Sequence, residues 1–194
     1  MDRFRNTAQP DEDWWAALWP DPTETLRRLG IDGGTLADVG CGDGYFTVPA
    51  ADLVDRVYAV DLDADFLGDL EDRARAAAVD SVKPIQGDAR NLASLLPEPV
   101  ETVLFANTLH GVDDGTAFAE TVRAALTADG RLVVVNWHDR PPQDTTVLGE
   151  PRGPPVDLRM SPSATADTVE PAGFRAADTV DLEPHHYGIV FTPE

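Results

Sequence analysis

Three glycines at alternating positions, Gly40, Gly42 and Gly44, sit in LADVGCGDGYFTV (residues 36–48), between an apolar run and a helical pattern. Without Cβ atoms they let the backbone turn sharply and let a ligand approach the chain. The helix start beyond them offers free N–H groups to an anion. Spacing narrows the choice of ligand. A P-loop requires G-x-x-x-x-G-K-S/T, and no lysine follows here. A dinucleotide loop has its third glycine three residues after the second, whereas this run is G-x-G-x-G and residue 45 is Tyr. Asp38 before the loop and Asp43 within it disfavour a pyrophosphate and suit a cationic or zwitterionic group. Asp61 ends the next apolar run, 17 residues beyond Gly44, where a carboxylate suits the two hydroxyls of a ribose. Asp88, in QGDA, closes the third run and is placed to accept from an adenine amino group. Together these residues describe a nucleoside that carries no phosphate and ends in a small charged tail.

Other reactive side chains are open to two readings each. His110 and His138 both follow apolar runs. An imidazole titrating near pH 6.5 can serve there as a general base, or simply bond a backbone carbonyl. Cys41 occupies a variable position of the glycine loop and reads as a small filler rather than a nucleophile. His185 and His186 lack visible co-ligands, and DLDADF (61–66) has Phe66 where a calcium loop needs glycine, so no metal is expected. Trp14, Trp15 and Trp19 read as packing or as a lid. Arg140, Arg152 and Arg159 read as surface charges or as a clamp on an acidic substrate.

These residues need a scaffold. Apolar, β-branched runs predict strands at 35–40, 56–61, 82–86, 100–106 and 131–137, with helices over 43–54, 63–78, about 91–96 and 114–127. Asp43, Asp63 and Asp113 or Asp114 are candidate helix caps, and Gly130 a helix end. Alternation of strand and helix predicts a doubly wound, mostly parallel α/β sheet covered on both faces. Beyond it come a helix opened by Ser161-Pro162 and two runs joined at EPHH, a hairpin that makes at least one strand antiparallel. Residues 139–162 show no periodicity and are rich in Pro and Gly; they leave the carboxyl end of the fifth strand, where open α/β sheets bind ligands.

DVGCGDGYF, VYAVDLDADFL, IQGDARNL, ETVLFANTLHGV and LTADGRLVVVNW, in that order, resemble the motifs of class I S-adenosylmethionine-dependent methyltransferases over about residues 30–140. The remainder is similar to small archaeal and bacterial ubiquinone/menaquinone-biosynthesis-like methyltransferases. The resemblance implies a Rossmann-like seven-stranded sheet whose last strand is antiparallel, with S-adenosyl-L-methionine as cofactor. It implies one domain: an N-terminal helical cap (1–30), a cofactor core (31–138), an active-site loop (139–162) and a C-terminal helix and hairpin (163–194). It also implies roles. The Gly40–Gly44 loop, with Cys41, wraps the methionine part and Asp38 helps to hold it. Asp61 takes the ribose with Leu62 beside the adenine, Asp88 and Ala89 meet the adenine edge, and Asn107 sits by the methionine part. The expected reaction is in-line methyl transfer to a small, partly apolar acceptor near Trp15, His110, Trp137 and Arg159. Two alternatives stand beside it: a protein that binds the cofactor without turnover, and an NAD-dependent oxidoreductase. The glycine spacing and the single lysine, Lys83, argue against the latter.

Charge bounds the partners. The 194 residues carry 35 acids against 15 basic residues, a net charge of −20. The acids are spread along the chain, so a folded surface of this kind repels itself in dilute salt. Screening at about 3 Å in 1 M salt would relieve that, and an origin in a high-salt environment is expected. The same charge argues against nucleic acid, and no run is apolar enough to span a bilayer. A cytoplasmic protein with a small-molecule substrate is the expectation. One cysteine leaves no intrachain disulfide.

Overall fold

The computed structural model describes Phe4 and residues 12–194. Two short helices, α1 (Glu12–Leu18) and α2 (Pro22–Arg28), precede the first strand. The expected alternation then follows: β1 (Thr35–Val39), α3 (Thr47–Ala50), β2 (Arg56–Asp61), α4 (Ala64–Ala76) and β3 (Val82–Gln86). Next come α5 (Leu92–Leu95), β4 (Val100–Ala106), α6 (Gly115–Ala125) and β5 (Leu126–Trp137). A two-stranded ribbon, β6 (Thr146–Val147) and β7 (Glu150–Pro151), lies in the following segment, before α7 (Pro162–Val169), β8 (Phe174–Leu182) and β9 (His186–Pro193). Seven strands form one sheet in the order β3-β2-β1-β4-β5-β9-β8. The first five are mutually parallel, and β9 runs antiparallel to both β5 and β8. The hairpin expected from EPHH therefore inserts its second strand next to β5.

Alternation along each strand divides the core between the two faces of this sheet. Ala37, Val39, Val103, Phe105 and Val134 face α5, α6 and α7. Leu36, Leu104, Val133 and Val135 face the layer that holds Leu26, Leu67 and Leu70 from α2 and α4. Both faces are covered, which is why the strands read as nearly unbroken apolar runs. Asp63 caps α4 by accepting from the N–H of Asp65, and Asp114 caps α6 by accepting from that of Ala117, both as the sequence predicts.

Three local expectations fail. The helix predicted over 43–54 is a single turn, Thr47–Ala50, with no side-chain cap. Gly40, Gly42 and Gly44 all have positive φ (71°, 55° and 87°), so the segment turns where a helix would have begun. Asp43 accepts from Arg73 Nη2 of α4 at 2.7 Å. At the far end of α6, Leu126 pairs with Val100 of β4, so the chain becomes extended before Gly130 can end a helix. The loop 139–162 is not structureless: it carries the β6–β7 ribbon and is braced from within by Arg159.

Candidate functional site

In the strand order, β1 leads outward to β2 on one side while β4 and β5 lie on the other, so a crevice opens at the carboxyl ends of β1 and β4. A cavity of about 480 Å³ occupies it, a volume in the range of small-molecule and cofactor sites. Asp38, Gly40, Cys41, Gly42, Asp61, Leu62, Asp88, Ala89 and Asn107 all line it, as do Trp15, His110 and Trp137. Most of the residues picked out by type and spacing thus converge on one space.

Asp61 organises the crevice from β2. Its Oδ2 accepts from Gly42 N at 3.0 Å and its Oδ1 from Asp63 N at 2.9 Å. The carboxylate therefore clips the glycine loop to the β2–α4 turn and keeps lone pairs on both oxygens for a ligand. Asp38, at the end of β1, is only 3 % exposed. Thr47 Oγ1 donates to its Oδ2 at 2.6 Å. Burial raises its pKa from 3.8 to about 6; the Thr47 bond opposes this and the Asp61 charge adds to it. Asp88 accepts from Arg90 N and Arg90 Nη1, both at 2.9 Å, so its carboxylate is already paired.

Asn107 is the most telling residue of the group. Its backbone takes the left-handed conformation (φ 56°), which asparagine tolerates better than most residues. Its N–H donates to Val135 O at 2.8 Å, fixing it just beyond β4. Both polar atoms of its side-chain amide are shielded from solvent without a hydrogen-bond partner among the described residues. A donor and an acceptor left unmet at a cavity wall are what a ligand with both functions, such as an amino acid group, would satisfy. Cys41 fits the filler reading: burial, with Asp38 and Asp61 nearby, pushes its thiol pKa up and keeps it neutral.

Three of the expected site residues lie elsewhere. Gly44 does not line the cavity; a Cβ there would come within 2.2 Å of Leu70 Cδ1, so its role is to let α4 pack under the loop. His138 turns away, with Nε2 2.9 Å from Asp181 Oδ1 of β8. Its N–H continues the β5–β9 pairing by donating to His185 O, and that pairing sets the direction of the ring. Arg159 is buried behind the wall, with donors directed to the carbonyls of Arg140, Arg152 and Pro154 and to Thr145 Oγ1. His186 packs between Trp19 and Trp137, with ring centroids 4.5 and 4.2 Å away. Its pKa is driven well below the ordinary value by burial and then by neighbouring histidines, so it stays neutral. No metal-binding cluster occurs among the described residues.

Some wall residues had no advance signal. Phe4 lies across the Asp88 side, under the guanidinium of Arg90 at 4.5 Å. Tyr45, Phe66 and Thr108 adjoin motif residues, and the motif spacing implied that neighbourhood without assigning them a role. Pro151, Gly153 and Pro154 come from the loop, whose sequence carries no periodicity. Trp14 of α1 completes this side, tilted against Trp137 with centroids 6.5 Å apart.

A family model described as a methyltransferase domain matches residues 37–134, just over half of the chain. A curated relative, the tRNA 5-carboxymethoxyuridine methyltransferase of Escherichia coli K12, is 30% identical over 124 residues, 63% of this chain and 48% of the relative. The chain thus spans about half the length of that protein. Among solved structures, a SAM-dependent methyltransferase from Aquifex aeolicus superposes with a TM-score of 0.78 at 19% identity, over 95% of this chain and 94% of the other. One described as a type 11 methyltransferase from Sulfolobus solfataricus gives 0.70 at 23% identity, over 90% and 92%. At those identities the likeness is one of fold.

Proposed function

The chain belongs to the methyltransferase-domain family, and from that premise we propose that it transfers the methyl group of S-adenosylmethionine to a small, partly apolar acceptor. The observation that carries this reading is the distribution of carboxylates around one cavity: Asp38, Asp61 and Asp88, each at the end of a different parallel strand, with the unmet amide of Asn107 in the same wall. Such a wall suits a nucleoside without phosphate and a tail bearing an ammonium. When bound, S-adenosylmethionine supplies a methyl group on a sulfonium; in an in-line displacement the acceptor lone pair forms the new bond as the carbon–sulfur bond breaks.

The chain's own residues have the remaining work. Asp61, held by two N–H donors, accepts from the ribose hydroxyls, and Leu62 and Ala89 flank the adenine. Asp38 and Asn107 hold the amino acid end. Trp15 and Trp137, both nearly fully buried, keep water from the acceptor side. Among the described residues, His110 is the histidine at the wall, so it takes the proton of an acceptor that must lose one. A small molecule is favoured over nucleic acid as acceptor because a net charge of −20 opposes binding to a polyanion.

Calorimetry with S-adenosylhomocysteine and with NADH tests the cofactor. Heat with the first alone is expected; heat with NADH alone would overturn the reading. Methyl transfer is then assayed on quinols, phenols, arsenite, small amines and unmodified tRNA, with turnover expected on a small molecule and none on tRNA. Cofactor binding without turnover on any of these would favour a binding protein instead.

A further inference from the structure

Asp38, Asp61 and Asp88 make one end of the cavity acidic; Arg152 makes the other end basic. Arg152 follows β7, and its guanidinium carbon lies 5.5 Å from the centroid of the Trp14 ring. Its Nε is shut off from solvent without a hydrogen-bond partner among the described residues. The other arginine of the wall, Arg90, is paired with Asp88; among the described residues no carboxylate pairs with Arg152. Arg152 as a whole is partly exposed, but a shielded N–H left unmatched is costly, and the geometry of its surroundings shows that it is held there.

The backbone of Arg152 is fixed on both sides. Its N–H donates to Thr145 O at 2.8 Å, and its carbonyl accepts from Thr145 Oγ1 at 2.9 Å and Arg159 Nη2 at 3.0 Å. Arg159 Nε donates to Pro154 O at 2.9 Å. Gly153 (φ +101°) lies so close to Trp137 that a Cβ would come within 2.9 Å of the indole. Arg159 therefore acts as a positioning residue: it pulls residues 152–154 against Trp137, and Arg152 reaches the cavity from a rigid platform rather than from a free loop.

We propose that the methyl acceptor is a small planar molecule bearing a carboxylate, and that Arg152 is the residue that recognises that group. The inference rests on the methyltransferase reading above. A guanidinium presents parallel N–H donors that match a carboxylate in two-point contact. The guanidinium lies over the Trp14 ring, and Trp14 and Trp137 both line the cavity, an aromatic wall suited to a flat ligand. The long-range field of a chain with net charge −20 repels anions, so selection of an anionic acceptor depends on a close, desolvated contact of this kind.

The test uses the full-length protein saturated with S-adenosylhomocysteine, in the salt that gives the highest melting temperature. Benzoate, 4-hydroxybenzoate and benzamide are titrated with calorimetry and tryptophan fluorescence as readouts. The carboxylates are expected to bind at least about tenfold more tightly than the amide. In Arg152→Gln the preference should vanish, while Arg152→Lys, which keeps the charge without the fork, should retain part of it. Affinity for S-adenosylhomocysteine should stay within about threefold in both variants. Equal binding of benzoate and benzamide, no binding of either carboxylate, or an undiminished preference in Arg152→Gln would overturn the inference. So would a tenfold loss of S-adenosylhomocysteine affinity in Arg152→Gln, which would assign the guanidinium to the cofactor's own carboxylate. Failure of the wild type to bind S-adenosylhomocysteine would bring down the methyltransferase reading and this inference with it.

Discussion

The two ends of the cavity are built from different kinds of chain. The acidic end comes from residues within a few positions of the carboxyl ends of β1, β2, β3 and β4, and adjacent parallel strands hold them in register. The basic end comes from α1, the end of β5 and the loop 139–162, whose members are far apart in sequence and meet through packing on Trp137, the Arg152–Trp14 contact, the Thr145 bonds and the donors of Arg159. The acidic end is therefore a property of the sheet, and the basic end a property of one braced loop. Removing a residue from one end should leave the function of the other standing.

Asp61→Ala should have the largest effect. It removes a carboxylate that accepts from two loop N–H groups, each such bond being worth about 1.5–3 kcal/mol. S-adenosylhomocysteine affinity should fall about 100-fold by calorimetry; a loss under threefold would mean that the loop holds its shape without β2. Arg159→Met tests the opposite end. With the carbonyls of Arg152 and Pro154 released, acceptor turnover should fall roughly 30-fold in kcat/KM, since small misplacements near a reacting centre are costly. S-adenosylhomocysteine affinity should change less than about twofold. Equal losses in both quantities would show that the two ends are coupled.

Asp38 sharpens the comparison through pH. Its folded pKa of about 6 lies above the ordinary 3.8, so its contribution to stability is complete below about pH 4 and lost as pH rises through 6. At neutral pH its burial is a burden of roughly 3 kcal/mol, taking about 1.4 kcal/mol per pH unit. Binding runs the other way, because the ionised form attracts an ammonium. S-adenosylhomocysteine affinity should drop about tenfold from pH 7 to pH 5, and Asp38→Asn should flatten that profile while raising the melting temperature of the free protein at pH 7.5. An unchanged slope in the variant would place the titrating group elsewhere. The smallest effect per residue belongs to the surface acids. With a net charge of −20, the melting temperature should rise by several degrees between 0.1 M and 2 M KCl as repulsion is screened; no rise would remove the high-salt expectation.

Legibility in the sequence follows the same division. Strand runs of 56–61, 82–86 and 100–106 match β2, β3 and β4 residue for residue; β2 and β4, buried on both faces, leave a continuous apolar signal, while β3 is a partly exposed edge strand. Asp38, Asp61 and Asp88 could be placed from that signal alone. Gly44 packs against Leu70, 26 residues on, a contact hidden in the sequence because a glycine for ligand approach and a glycine for helix packing look alike. His110 and His138 look alike in the sequence, four residues and one residue past a strand, until the β5–β9 pairing turns His138 toward Asp181.

By itself the sequence determined the alternation of strands and helices, the carboxylates at the strand ends, the glycine loop between β1 and β2 and the acidic surface. These depend on interactions local in the chain or on the repeat of a strand, so residue type and spacing carry them. Only the tertiary structure decided which histidine meets the cavity, that Gly44 packs against Leu70, and that Arg159 braces the loop while Arg152 lines the cavity. Those outcomes depend on which carbonyls and rings lie within a few ångströms after folding, and neither charge nor spacing along the chain encodes that distance.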